Sequence, residues 1–254
     1  MGTQIVANGV DAPWYTKKIP PVSRGLEGWF EFNTDAARFG FNRALGKDNA
    51  IIVGGPVAFA THGRFKGLAN YIQTQIVETT QLTIVVVCKA VNAIPAGANG
   101  TGDANTPFYA GNHRGESMTP GYTGSIYGSA IYGVLPTSTS GGSSKDNGSG
   151  GVTSYSVALA GETPTNWAIR TLRIGPSSTD SVINSSRNAQ ADRTQPTTRV
   201  LSSNKMRVGS GTTGFEAEVD IAGAAFYSVA LTDDELGKVV ANWRQQMARL
   251  GIIV

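Results

Sequence analysis

LTIVVVC, residues 82–88, decides how the rest of the chain is read. The run is apolar or β-branched throughout, with no polar alternation. Side chains branched at Cβ fit a pleated surface and crowd the preceding turn of a helix. The run therefore reads as a strand buried on both faces, and a buried helix segment is the poorer fit. Cys88 closes it and is the single cysteine, so no intrachain disulfide is available and a small buried thiol is expected.

Working outward, short strands and breakers continue on both sides. Gly28-Trp29-Phe30-Glu31-Phe32 is an aromatic strand, and Asn33 to Asn49 is polar and turn-like. Ile51 to Val53 ends at the breaker Gly54-Gly55-Pro56, followed by Val57 to Phe59 and by Gly67 to Ile72. Beyond residue 95 the pattern loosens. Ile126-Tyr127, Ala130 to Tyr132 and Val134-Leu135 are expected to form a hairpin, and the tract STSGGSSKDNGSGG (138–151) a mobile surface loop. Tyr155 to Leu159 and Trp167 to Ile174 alternate as strands, and Asp180 to Asn188 is a polar segment. Met206 to Gly209 is a short strand and Phe215 to Tyr227 the last long one. Helix signals come only at the end: Thr232 with Glu235 forms a capping box, and Leu236, Val239, Val240, Trp243 and Met247 recur at helical spacing. The helix is expected over about 233–249.

Composition agrees with many strands and many turns. Only 15% of residues are charged, against roughly 25% in ordinary globular chains, and 32 are glycine, which supplies turns that need positive φ. The 254 residues suit one sandwich core, with 26–254 as the domain and 1–25 as an extended arm carrying Pro13, Pro20 and Pro21. Trp14 and Tyr15 would anchor that arm, either on its own sandwich or on a neighbouring subunit. The net charge is +3 and the basic residues are scattered, which argues against a nucleic-acid partner. Met1 to Ala12 has no signal-peptide pattern, and no apolar stretch approaches the roughly 18 residues of a membrane span.

In this order the segments resemble the laminin-G-like or pentraxin-like branch of the concanavalin A-like lectin/glucanase superfamily. The resemblance covers roughly residues 25 to 250. It rests on the GWFEF strand, Asn49 to Pro56, Gly63 to Ile72, Thr83 to Lys89, Trp167 to Arg170, Met206 to Gly209 and, most sharply, DIAGAAFYSVALTDDEL at 220–236. It implies an all-β jelly-roll sandwich of two antiparallel sheets closed by one helix. That fold carries lectins, glycosidases, adhesion modules and virion proteins alike, so it does not by itself name an activity. Domains of this kind with a short arm and no signal peptide look most like structural proteins of tailed bacteriophages, folded in the host cytoplasm and working in the virion.

Three kinds of chemistry are weighed against this. A retaining glycosidase needs two carboxyls about 5 to 5.5 Å apart. Glu216, Glu218 and Asp220 alternate onto one face, but the family's second Glu falls at Ala222 or Gly223, and all three are expected to face solvent. Catalysis is therefore not expected. Ca²⁺ is the one cofactor the resemblance raises, with Asp103-Asn105, Asp146-Asn147 and Asp180-Asn184 as possible ligands. Each pair reads instead as turn-forming Asx, and His62 and His113 lack zinc-ligand spacing. Sugars need aromatic faces flanked by polar groups. Tyr109, Asn112, His113, Arg114, Tyr122 and Tyr127 have that composition and are the expected glycan contacts; the competing reading makes the tyrosines core or strand-edge residues. The expectation is a non-enzymatic, homo-oligomeric virion protein that binds other virion proteins or a host glycan. The alternatives are a glycan depolymerase and a free lectin.

Overall fold

The computed structural model describes residues 15–98, 103–176 and 178–254. In chain order the strands are β1 (Leu26–Glu31), β2 (Ile51–Val53), β3 (Val57–Ala58), β4 (Gly63–Lys66), β5 (Tyr71–Gln73), β6 (Leu82–Ala90), β7 (Phe108–Gly111), β8 (Gly115–Glu116) and β9 (Ser125–Ile126). They continue as β10 (Ala130–Val134), β11 (Ser138–Asp146), β12 (Val152–Ala160), β13 (Ala168–Ile174), β14 (Thr179–Asn184), β15 (Ala189–Thr194), β16 (Arg207–Val208) and β17 (Glu218–Tyr227). One α-helix, α1 (Asp233–Arg249), follows.

All sheet pairings are antiparallel. One sheet runs β15-β14-β13-β6-β17-β4-β3, with β1 also on β17, and the other runs β12-β11-β10-β7-β16-β5-β2. The fold is the expected β-sandwich with a single C-terminal helix among the described residues. β6 shows why its sequence is continuously apolar. Ile84, Val86 and Cys88 point between the sheets, whereas Val85 and Val87 point at the helix. Burial pushes the Cys88 thiol up to about 11, as befits an inert packing group.

The helix begins and ends where its capping and periodicity place it. Glu235 N–H donates to the Thr232 hydroxyl (3.2 Å) and Thr232 N–H to the Glu235 carboxylate (2.9 Å). Trp243 stacks on Trp29 of β1, with ring centroids 4.5 Å apart and planes within 3°. Gly223 makes room: a Cβ there would come 2.3 Å from the Trp243 ring. A bulge between Ile221 and Gly223 switches the face parity of β17, so Ile221 and Ala224 both face the core between the sheets.

Three expectations are corrected. The STSGGSSKD stretch is not a surface loop but β11, a nine-residue strand paired on both sides with β10 and β12 and buried almost throughout. Its inward side chains Thr139, Ser143 and Lys145 meet polar partners on the opposite sheet, so low hydrophobicity does not expose it. Lys145 Nζ lies 3.0 Å from Asp180, both side chains fully buried, and the Ser143 hydroxyl donates to Asp180 at 2.6 Å. Second, Asp180 to Asn184 is strand β14, with Val182 in the core. Third, Ala130–Val134 forms its hairpin with β11, while Ser125–Ile126 pairs with β8.

Trp14 lies outside the described residues. Tyr15 is exposed, but from Lys17 the chain lies on its own sandwich. Lys17 Nζ donates to the Asn42 carbonyl at 2.6 Å, Lys18 ion-pairs with Glu31, and Val22 is buried. At the far end β12 and β15 are the outer strands of the two sheets, and Arg193 of β15 donates to the main-chain carbonyl of Ser156 on β12 (3.1 Å).

Candidate functional site

On the helix-bearing sheet, alternation continues past the apolar patch that α1 covers. Val85 and Val87 lead to Lys89, Ile169 leads back to Trp167, and Ala222 leads back to Asp220. Strand register then sets these residues side by side, because Asp220 pairs across β17 with Arg64 on one flank and Lys89 on the other. Where the helix stops, the same sheet face turns from apolar to charged and aromatic.

The β3–β4 turn, closed by Phe59 N–H donating to the His62 carbonyl (2.8 Å), carries two rings onto this face. Phe59 and His62 stack with centroids 4.6 Å apart and planes within 11°, and His62 meets Trp167 edge-on at 5.2 Å. Arg64 lies 5.0 Å from the Phe59 ring and Lys89 5.3 Å from the Trp167 ring. Arg64 grips both oxygens of Asp220, Oδ1 at 2.8 Å and Oδ2 at 3.2 Å, while Lys89 and His62 stand 3.6 and 3.5 Å from Oδ2. Burial opposes the charge on Asp220, yet His62 and Arg64 hold its carboxyl down at about 2.

Next to the rings lies a cavity of about 810 Å³, large enough for an oligosaccharide segment. Lys89, Trp167, Thr163, Asn166, Arg187 and the segment Leu250–Val254 line it. Its floor is a second closed ion network. Buried Glu162 accepts from Arg170 (3.1 Å), Asn184 (2.8 Å) and Arg187 (2.7 Å).

The residues chosen from sequence divide. His113, Arg114 and Tyr127 do meet: the His113 ring lies 5.9 Å from Tyr127 and 5.0 Å from Phe215, and Arg114 lies 5.0 Å from the Tyr127 ring. His113 and Tyr127 border a space of only about 20 Å³. Burial and neighbouring Arg114 lower the His113 imidazole to about 4, keeping it neutral. Tyr109 and Asn112 have no face to offer a ligand. Tyr109 is in the core between the sheets, and Asn112 is buried, donating to Glu78 at 3.1 Å. Tyr122 stands apart from this group, beside Asp146 and Thr198.

The carboxylate trio also departs from expectation. Glu216 precedes β17, and Asp220 is buried in ion pairs rather than facing solvent. Asp103 accepts from Asn105 N–H (2.8 Å) and Asp146 from Gly148 N–H (2.9 Å), both local turns. Asn147 accepts from Ser149 N–H (2.8 Å) in the same way, whereas Asp180 and Asn184 belong to the buried networks. Phe59, His62, Arg64, Lys89 and Trp167 escaped sequence reading because they come from three stretches far apart in the chain, 59–64, 89 and 167. The available signal was Lys89, the one charge that breaks the apolar pattern of β6.

No family model and no curated protein matches the sequence. Among solved structures, the chain is similar to the receptor binding domain of botulinum neurotoxin D, at 9% identity and a TM-score of 0.58, over 88% of this chain and 53% of that one. It is also similar to Trypanosoma rangeli sialidase in complex with sialic acid, at 11% identity and a TM-score of 0.57, over 97% of this chain and 36% of that one. The chain thus spans about half the length of the toxin domain and about a third of the sialidase. At such identity the likeness is one of fold, a jelly-roll β-sandwich.

Proposed function

We propose that the chain is a non-catalytic glycan-binding β-sandwich of the laminin-G-like kind, working in a tailed-bacteriophage virion, on the tail or as capsid decoration. The carrying observation is the Phe59–His62–Trp167 ring cluster set beside a cavity whose wall carries hydroxyl, amide and guanidinium groups. Aromatic faces take the C–H side of a pyranose, and the polar groups take its hydroxyls. The names of the similar structures fit this reading, since one is a receptor binding domain and another holds sialic acid. Asp220, kept ionised by its cations, is a poor proton donor and does not supply the general acid that glycoside hydrolysis needs. The virion setting and a homo-oligomer anchored by the arm rest on the family resemblance alone.

The test is a glycan array read with the full chain, followed by a reducing-sugar assay on whatever is bound. Binding without sugar release is expected, and Trp167→Ala should weaken it about tenfold with the circular-dichroism spectrum unchanged. Release of reducing ends, or binding indifferent to Trp167→Ala, would overturn the proposal.

A further inference from the structure

The charges around the ring cluster are arranged in depth. Two carboxylates of the region, Asp220 and Glu162, are buried, with side chains 1% and 0% exposed. Each is wrapped by cations that reach past it to the surface. Arg64 and Lys89 cover Asp220 with side chains 32% and 29% exposed, and Arg187 covers Glu162 at 41%. Fully buried Arg170 joins Glu162 from below. A third carboxylate, half-buried Glu218 on the strand of Asp220, also acts on Arg64, so three carboxylates face four permanent cations. The negative charge lies behind and the positive ends lie in front, so a ligand meets ammonium and guanidinium groups first.

From this layering we propose that the site takes an anionic saccharide, its acidic group held between Lys89 and Arg187 while a neighbouring ring lies on Trp167. This rests on the glycan-binding reading above and narrows it to a substrate class. Carboxylates of uronic or nonulosonic sugars and sulfate esters share the chemistry required: a compact anion able to accept from N–H donors on two sides. Lys89 already holds its Nζ near the Trp167 ring, so one residue pair addresses both the acidic group and the adjoining pyranose. Neither Lys89 nor Arg187 is the sole counter-ion of its carboxylate, because Arg64 and Arg170 remain. Each is therefore free to share its charge with a ligand without stranding a buried anion.

The experiment is a glycan array of neutral, carboxylated and sulfated members matched in backbone, with affinities of the hits measured by calorimetry and a short DNA duplex run as a polyanion control. Acidic members are expected to be preferred over their neutral partners about tenfold, and Lys89→Gln and Arg187→Gln to shrink that preference more than they reduce neutral binding. Which of the carboxylated and sulfated arms is retained identifies the source of the charge. Neutral glycans bound as well as acidic ones, through Trp167, would overturn this inference and leave the glycan reading standing. Acidic preference untouched by both variants would overturn it, as would equal binding of the DNA duplex. An array with no bound member would remove the glycan reading itself.

Discussion

The space between the two sheets is filled by two different materials. Around β1, β4 and β17 it is a stack of rings: Phe32 meets Phe65 at 5.0 Å and Phe39 at 5.2 Å, and Phe30 meets Phe226 at 6.3 Å. Around β11, β13 and β14 the same gap holds Lys145 against Asp180 and Arg170 against Glu162, every one of them buried. Edge-to-face ring contacts are weaker and more forgiving of direction than buried ion pairs, so the first half depends chiefly on filling its volume. The second half needs direction as well. A slip of β11 by one residue would turn Lys145 out of the sandwich and leave Asp180 facing Ser144 or a main-chain edge. The ring half supplies cohesion, and the ionic half supplies register.

The largest effect should come from breaking the ring half. Phe65→Ala leaves a void among Phe32 and Phe39, and an unfolding midpoint in urea should report a loss of about 4 kcal/mol. No second substitution nearby is expected to restore it except one that refills the volume. The ionic half should answer differently. Asp180→Ala strands buried Lys145 and should cost about 3 kcal/mol, yet adding Lys145→Met should return most of it, because the stranded charge goes too. If the double variant is no better than the single one, the contrast drawn between the halves is wrong.

The smallest effect is the acid response. Burial opposes the charge on Glu162, but Arg170, Asn184 and Arg187 outweigh it and hold the carboxyl below its ordinary 4.5. A depressed folded-state pKa means the contribution is whole above that ordinary value and fades as pH falls below it. Relative to the intrinsic rate at each pH, amide exchange in β13 and β14 should therefore accelerate in acid before that in β1 and β4, and Glu162→Gln should flatten the difference. Equal acceleration in both halves would show that Glu162 does not carry the response.

These two halves also explain which parts of the molecule were legible from sequence. The ring half, β6 and the helix were, since apolar periodicity and a capping box are local signals; Asp233–Arg249 was placed without any tertiary information. β11 was not. Gly141, Gly142 and four neighbouring serines read as a mobile surface loop because the residues that justify their burial sit on β13, on β14 and in the turn that holds Glu162, some 20 to 40 positions away. The same distance hid the candidate site. His62 looked solitary, Lys89 looked like the end of a strand, and Asp220 looked solvent-facing until register put Arg64 and Lys89 on either side of it. Composition did locate one true aromatic meeting, His113 with Tyr127, but could not show that it encloses almost no space.

The bond from Arg193 to the carbonyl of Ser156 has a consequence for what the protein does in company. β12 is nine residues long, carries few charges and ends its sheet, which makes it a template onto which a foreign strand could add. A guanidinium seated on one of its outward carbonyls, with its flat face 4.7 Å from Tyr155, occupies the position that an incoming amide would need. Arg193 is in that sense a stopper. Without it, crowded copies could zip together along that border and precipitate as ribbons, whatever their individual stability.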